Sequence, residues 1–456
     1  MPRSLRMMGI ALGALLLSSP TVLAANRTPT LEVNAPAAAV DLSSPAAELR
    51  VDLDRLLAEH AFLTIEQMRS GLLGAPDFAA AATAVEANST EIAGAIGSIY
   101  GNAAIEPFGD IWRSHIGYLV DYAISLRTGD TAGRDAALDG LAVYRTELRT
   151  FLGDANPGID LGEIAEALDM HTAQLIEFID RVHEGDHAGA YELEREAYPH
   201  MFEIGDALAK VIANRFPDRF PGVRVAYSAA GTLRVTLDRL LAEHAFLAAE
   251  AMRSGLTDAP DFAAAAAAIE GNSAELESVV QAAYGNAAAA EFRDLWDAHI
   301  NAYIGYIDAT RANDSAARAQ ATSQVNLYAS QLADFLASAN PHLDAGVLAS
   351  MFQQHAGHLT TQVEAYAASD YERMYAEVRA GYSHMFMTGE ALALGIATQF
   401  PDLFPTDAAA PDTATVPHRH AQPIDGWLVA FVLGVAALVA VLLLRFSPTR
   451  ARSLRH

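Results

Sequence analysis

The chain has 456 residues, no cysteine, and 30 Lys+Arg against 56 Asp+Glu, a formal net charge of −26. An apolar share of 52% excludes wholesale disorder, and the acidic balance argues against a nucleic-acid partner, which needs concentrated positive charge. The missing thiols exclude a disulfide frame, a thiolate metal site and a cysteine nucleophile, and Lys210 is the only lysine, so catalysis or metal binding falls to His, carboxylates, Tyr, Ser/Thr or Met.

In chain order, residues 1–24 read as a secretory signal. Arg3 and Arg6 form the basic start, Met7 to Leu17 the apolar stretch, and Val22-Leu23-Ala24 a cleavage site before Ala25. Residues 47–221 then return as 231–405 at a constant offset of 184, with 79 identities in 175 positions and no gap. This is a domain written twice, with 222–230 as the linker. Within 47–86, 30 of 40 positions match, including Glu59, Met68, Arg69 and Ser70. An ordinary amphipathic helix needs only its apolar face preserved. Retention of charged residues there points to a constraint beyond packing or to a recent exchange between the copies.

Each copy is helical, with apolar residues recurring at three and four, as in Leu53, Leu56, Leu57, His60 and Leu63. Breakers at Gly74-Ala75-Pro76-Asp77, Tyr100-Gly101-Asn102, Gly129-Asp130, Asn156-Pro157, Gly185-Asp186 and Phe216-Pro217 mark six helices near 47–71, 77–99, 105–127, 131–153, 160–183 and 187–214. They pair as three hairpins. The fold class is all-α: two tandem six-helix bundles and a C-terminal transmembrane helix. Residues 406–424, rich in Ala, Pro, Asp and Thr, read as a flexible stalk. Residues 427–444 carry no charge and read as a membrane span, followed by the basic tail 445–456 with Arg445, Arg450, Arg452 and Arg455. Positive charge stays inside, so the bulk of the chain is expected outside the cytoplasm, tethered to the cell membrane.

The hairpin turns give an origin for counting. His60, His115 and His171 each lie 14 residues before Gly74, Gly129 and Gly185, and Asn88, Tyr144 and His200 lie 14 or 15 after them. At about 1.5 Å per residue all six stand about 21 Å from their turns, hence at one height in the bundle. The second copy keeps every one: His244, Asn272, His299, Tyr328, His355 and His384. Neutral imidazoles suit copper, zinc, nickel and iron, and a bundle brings ligands from several helices to one level. The spacing therefore predicts a metal in each copy, copper or zinc. Its ligands are His60, His115, His171 and His200 in the first copy and His244, His299, His355 and His384 in the second. Asn88, Tyr144, Asn272 and Tyr328 orient the rings. Met201, Met385, Met68 and Met252 lie near layer histidines and tilt the preference towards copper, although such methionines also fill cores. The competing reading is a buried, hydrogen-bonded histidine network without metal.

The two-Glu, Glu-x-x-His pattern of di-iron bundles is absent, and no nucleophile elbow exists. Trp112 and Trp296 read as core anchors, and His183 and His187 as solvated loop residues. No catalytic residue and no organic cofactor is assigned. The expectation is a membrane-anchored extracytoplasmic binding protein rather than an enzyme. The alternative is a structural or interaction module of the cell envelope with a polar core.

The strings Glu59-His60, Ala75-Pro76-Asp77-Phe78, Trp112-x-x-His115-Ile116 and His200-Met201-Phe202 resemble those of a bacterial family of secreted helical domains from bacilli and actinobacteria. Similar domains sometimes accompany copper-amine-oxidase-like N-terminal modules. The resemblance covers both copies and implies an extracytoplasmic helical domain. It implies no established reaction and no functional residue.

Overall fold

The computed structural model describes residues 40, 42–158 and 161–405, and its regular structure there is entirely helical. The expected signal 1–24, stalk 406–424, membrane helix 427–444 and tail 445–456 lie outside the described residues. Among the described residues no helix is long and apolar enough to cross a membrane.

In the first half, α1 (Pro45–Leu73), α2 (Phe78–Tyr100), α3 (Ile105–Thr128), α4 (Thr131–Ala155), α5 (Gly162–Glu184) and α6 (His187–Arg215) follow the breakers closely. The segment 222–230 holds one turn of helix, α7 (Val223–Ala226). The second half repeats the order as α8 (Ala229–Thr257), α9 (Phe262–Tyr284), α10 (Asn286–Arg311), α11 (Ser315–Ala339), α12 (Ala345–Ala367) and α13 (Tyr371–Gln399).

The ends of these helices have local causes. Ser44 caps α1 by accepting from the Ala47 amide, with Pro45 in the first turn, where a missing N–H costs nothing. Between α3 and α4, Gly129 takes φ +70 and satisfies the last carbonyls of α3, and Asp130 at once caps α4 through the Gly133 amide. Gly185 and Asp186 repeat that device between α5 and α6. In the second half the same turns are made by Asn313-Asp314 and Ser369-Asp370, where non-glycine residues accept positive φ.

α1 packs against α2, α3, α5 and α6, and α8 holds the matching place in the second half. Both helices are buried on nearly every face, including charged positions such as Asp54, Glu59 and Arg69. They are buried all round because the two halves also pack on one another, α13 against α2 and α6 against α9. Approach within each half is close: a Cβ at Gly205 of α6 would collide with Asp54 of α1, and one at Gly389 of α13 with Asp238 of α8.

The contact between the halves is reciprocal. Phe62 stacks on Phe246 with ring centroids 3.7 Å apart, and Phe202 lies parallel to Phe386 at 6.3 Å. Arg379 forks onto Glu59 at 3.0 and 3.1 Å, and Arg195 bonds Glu243 at 3.1 Å. Tyr375 reaches Asp77 at 3.2 Å, and Tyr191 reaches Asp261 at 3.3 Å. Each of these residues pairs with, or repeats the role of, the residue 184 positions away. That is the signature of a local two-fold contact between near-copies. It also explains the retained charges of 47–86: Glu59 is buried against Arg379 of the other half, and Arg69 pairs within its own half with Glu66 and Asp77, the carboxylates that Tyr375 of the other half reaches.

Candidate metal centre

α1 supplies His60, α3 supplies Trp112 and His115, α4 supplies Tyr144 and α5 supplies His171. His60 Nε2 stands 3.0 Å from His115 Nε2. The His60 ring centroid lies 5.0 Å from that of His115 and 6.0 Å from that of His171. One nitrogen from each of the three lies within 4.8 Å of the others, and all three residues are buried. The Trp112 indole packs 4.6 Å from His60 and 4.8 Å from His115, and Tyr144 stacks on His115 at 4.4 Å with 18° between planes. The aromatic rings fix the imidazole planes by contact, and they keep water out.

Hydrogen bonding is incomplete. Nδ1 of His115 and both ring nitrogens of His171 are buried without a partner, and Nδ1 of His60 has only the Thr64 hydroxyl, at 3.5 Å. Buried unpaired polar groups cost roughly 1–3 kcal/mol each, so such nitrogens call for an occupant. Burial, and then the neighbouring imidazoles, hold the His60 pKa well below its ordinary value. Burial first, then the nearby imidazole of His171 or His200 respectively, brings His115 and His171 down to about 3. All three are therefore neutral at pH 7, the state in which imidazole donates a lone pair to a metal.

The fourth residue of the layer is turned elsewhere. His200 Nε2 bonds the Ala167 carbonyl at 2.9 Å, and its Nδ1 faces Glu203 at 3.2 Å. Asn88 makes no hydrogen bond to an imidazole: its amide donates to the Leu56 carbonyl at 3.0 Å and to Glu59 at 2.8 Å, and its Oδ1 has no partner. It therefore orients the carboxylate that meets Arg379. Met201 and Met68 are buried among apolar side chains in the core.

The second half repeats the arrangement with small differences. His299 Nε2 is 3.4 Å from His244 Nε2, with ring centroids 5.4 Å apart, and His355 lies 5.8 Å from His244. Tyr328 stacks on His299 at 4.3 Å. Nδ1 of His244, Nδ1 of His299 and both nitrogens of His355 lack partners. His384 bonds the Met351 carbonyl at 2.8 Å, and Asn272 pairs with Glu243 at 2.8 Å, matching His200 and Asn88. His355 itself is only partly buried, unlike His171. Among the described residues, the convergence of three ligand atoms within 4.8 Å is met by the first-half triad. Trp296 donates to Ser273 at 3.0 Å, whereas the Trp112 indole nitrogen has no partner.

No family model, curated protein or solved structure matches the chain. The likeness to secreted helical domains therefore adds nothing to the geometry.

The ion pairs between the halves had no place in the sequence reading. Their one visible signal was the retention of charged residues in 47–86.

Proposed function

We propose that the protein binds a transition-metal ion, zinc or copper, between His60, His115 and His171, with a related site at His244, His299 and His355. The observation that supports this most directly is His171: a buried imidazole with both nitrogens unpartnered, beside two further neutral imidazoles. Three histidines and one open position make a familiar zinc or copper donor set. Tetrahedral bonds of ~2.0 Å put ligand nitrogens ~3.3 Å apart. The His60–His115 separation of 3.0 Å is near that value, so His171 would make most of the adjustment. A membrane-tethered, extracytoplasmic placement, expected from 1–24 and 427–444, belongs to the same proposal.

One observation favours a second reading. The His60–His115 contact is itself a satisfactory hydrogen bond between two neutral rings, and His200 bonds a backbone carbonyl. A metal-free polar layer would use the same contacts to fix the register of the helices. Elemental analysis of purified full-length chain, before and after dialysis against zinc or copper, separates the two. Retained metal that disappears in His171→Ala, with helical content unchanged, supports the centre. An ion-free protein after loading leaves the polar layer.

A further inference from the structure

In the second half the histidines continue outward from the buried pair. His358 of α12 donates from Nδ1 to the Glu377 carboxylate of α13 at 2.8 Å, since an ionised carboxylate only accepts. Its Nε2 is left with the lone pair, the arrangement in which a carboxylate orients a metal-binding imidazole. His384 of α13 lies beside it, with ring centroids 5.9 Å apart. The Nε2–H of His384 goes to the Met351 carbonyl at 2.8 Å, so its Nδ1 carries the lone pair. That Nδ1 is buried without a partner, in a residue only 2% exposed. His355 stands one turn before His358 on α12, where residues three apart are neighbours, and both of its nitrogens are enclosed and unpartnered. Its ring lies 5.8 Å from that of His244, and His244 Nε2 is 3.4 Å from His299 Nε2. The imidazoles thus form a row from the half-buried His358, through the partly exposed His355, to the buried His244 and His299.

The first half lacks the outer part of this row. Gln174 stands in the place of His358, Leu193 in that of Glu377 and Ala197 in that of Gly381. A Cβ at Gly381 would come within 3.2 Å of the His358 Cβ, so the glycine makes room for that side chain against α13. His200, the counterpart of His384, has its Nδ1 facing Glu203 at 3.2 Å, and the position matching Glu203 is Met387. The second half therefore keeps open a lone pair that the first half engages. An enclosed nitrogen without a partner costs roughly 1–3 kcal/mol, so the open lone pairs of His384 and His355 call for a transient or resident occupant. We propose, on the basis of the metal centre proposed above, that His358 and His384 form an entry station for a zinc or copper ion, which passes by way of His355 to the His244–His299 pair. The rings are spread along a row rather than gathered at a point like His60, His115 and His171, which suits passage rather than storage. The route governs the speed of loading and leaves the order of affinities between the halves as it is.

The test is stopped-flow loading of copper(II) into metal-stripped, full-length protein carrying His60→Ala and His115→Ala, so that only the second-half centre remains. Trp296 reports arrival by quenching, since its ring lies 4.8 Å from His244 and 4.5 Å from His299. His358→Gln and Glu377→Leu are added separately, each installing the residue that the first half carries at the matching position. Removing a ligand or the group that orients it typically costs about tenfold or more, so both variants should load at least about tenfold more slowly than the parent while reaching the same equilibrium end point. Loading of His358→Gln at the parent rate, or faster as a loosened fold would allow, overturns the route. Loss of the end point in His358→Gln overturns it too, because His358 would then be a ligand of the centre itself. A parent protein that takes up no copper removes the second-half centre, and the route with it; copper uptake with an unchanged rate removes the route alone.

Discussion

Tyr198 and Tyr382 stand 184 positions apart in the chain and meet hydroxyl to hydroxyl at 3.5 Å. A residue touching its own repeat marks the axis of the contact between the halves. Around it, Phe246 stacks on Phe62 at 3.7 Å and on Tyr382 at 4.1 Å, with the Tyr198 ring edge-on at 5.9 Å. Truncating Phe246 to alanine removes the ring that both halves share. The expected loss is about 3–5 kcal/mol in urea unfolding, against less than about 1 kcal/mol for Tyr198→Phe. Similar costs for the two would mean that the axis carries little of the stability.

Glu59 is fully buried, and its carboxylate depends on Arg379 from the other half and on Asn88. Arg379→Ala leaves that charge enclosed with a single amide, at an expected cost of about 3 kcal/mol. Adding Glu59→Gln should restore most of the loss, because the uncompensated charge goes with it. A double mutant no better than the single would show that the guanidinium acts by packing alone.

Acid should unfold the protein early. His115, His171 and His299 are held down to about 3 by burial first and neighbouring imidazoles second. Unfolded imidazoles titrate near 6.5, so between about pH 6.5 and 3 the unfolded chain binds more protons than the folded one. Stability from these groups is whole above about 6.5 and is lost as pH falls. One pKa unit is worth about 1.4 kcal/mol, so even a heavily discounted sum is several kcal/mol by about pH 4. Buried Asp54 and Asp238, whose carboxyls are raised by burial, act in the opposite direction as pH falls, so the histidine contribution is read as a difference: the urea midpoint of His115→Leu should fall less steeply below pH 6 than that of the wild type. Equal slopes for the two proteins would contradict a neutral, buried His115.

Much of the helix pattern was legible in the chain. Gly129-Asp130 and Gly185-Asp186 mark the ends of helices because a left-handed glycine and an aspartate cap are local devices. Height in the bundle was legible too: equal counts from the turns bring His60, His115 and His171 together. Azimuth was not. Each helical residue rotates about 100°, so a count that sets height leaves direction open. His200 shares the level yet bonds the Ala167 carbonyl, and Asn88 turns to Glu59. Contacts such as Glu59–Arg379 and Glu243–Arg195 were hidden because they depend on how one half docks on the other. No periodicity within a helix encodes that docking.

The two triads should differ. His171 is buried, and its set converges within 4.8 Å. His355 is partly exposed, and the His244–His299 gap is 3.4 Å. The first equivalent of metal is expected in the first half. His299→Ala should therefore spare the tighter phase of a titration that His115→Ala removes. Equal damage from the two substitutions would mean that the sites fill alike.

The most direct measurement is calorimetric titration of metal-stripped, full-length protein with zinc(II) and copper(II), beside the His60→Ala, His115→Ala double mutant checked for intact helicity. A specific metal centre gives a tight first equivalent in the wild type, with proton release small because the ligands are already neutral, and its loss in the double mutant. No binding by the wild type, or a first equivalent undiminished in the double mutant, would contradict a metal held by His60, His115 and His171.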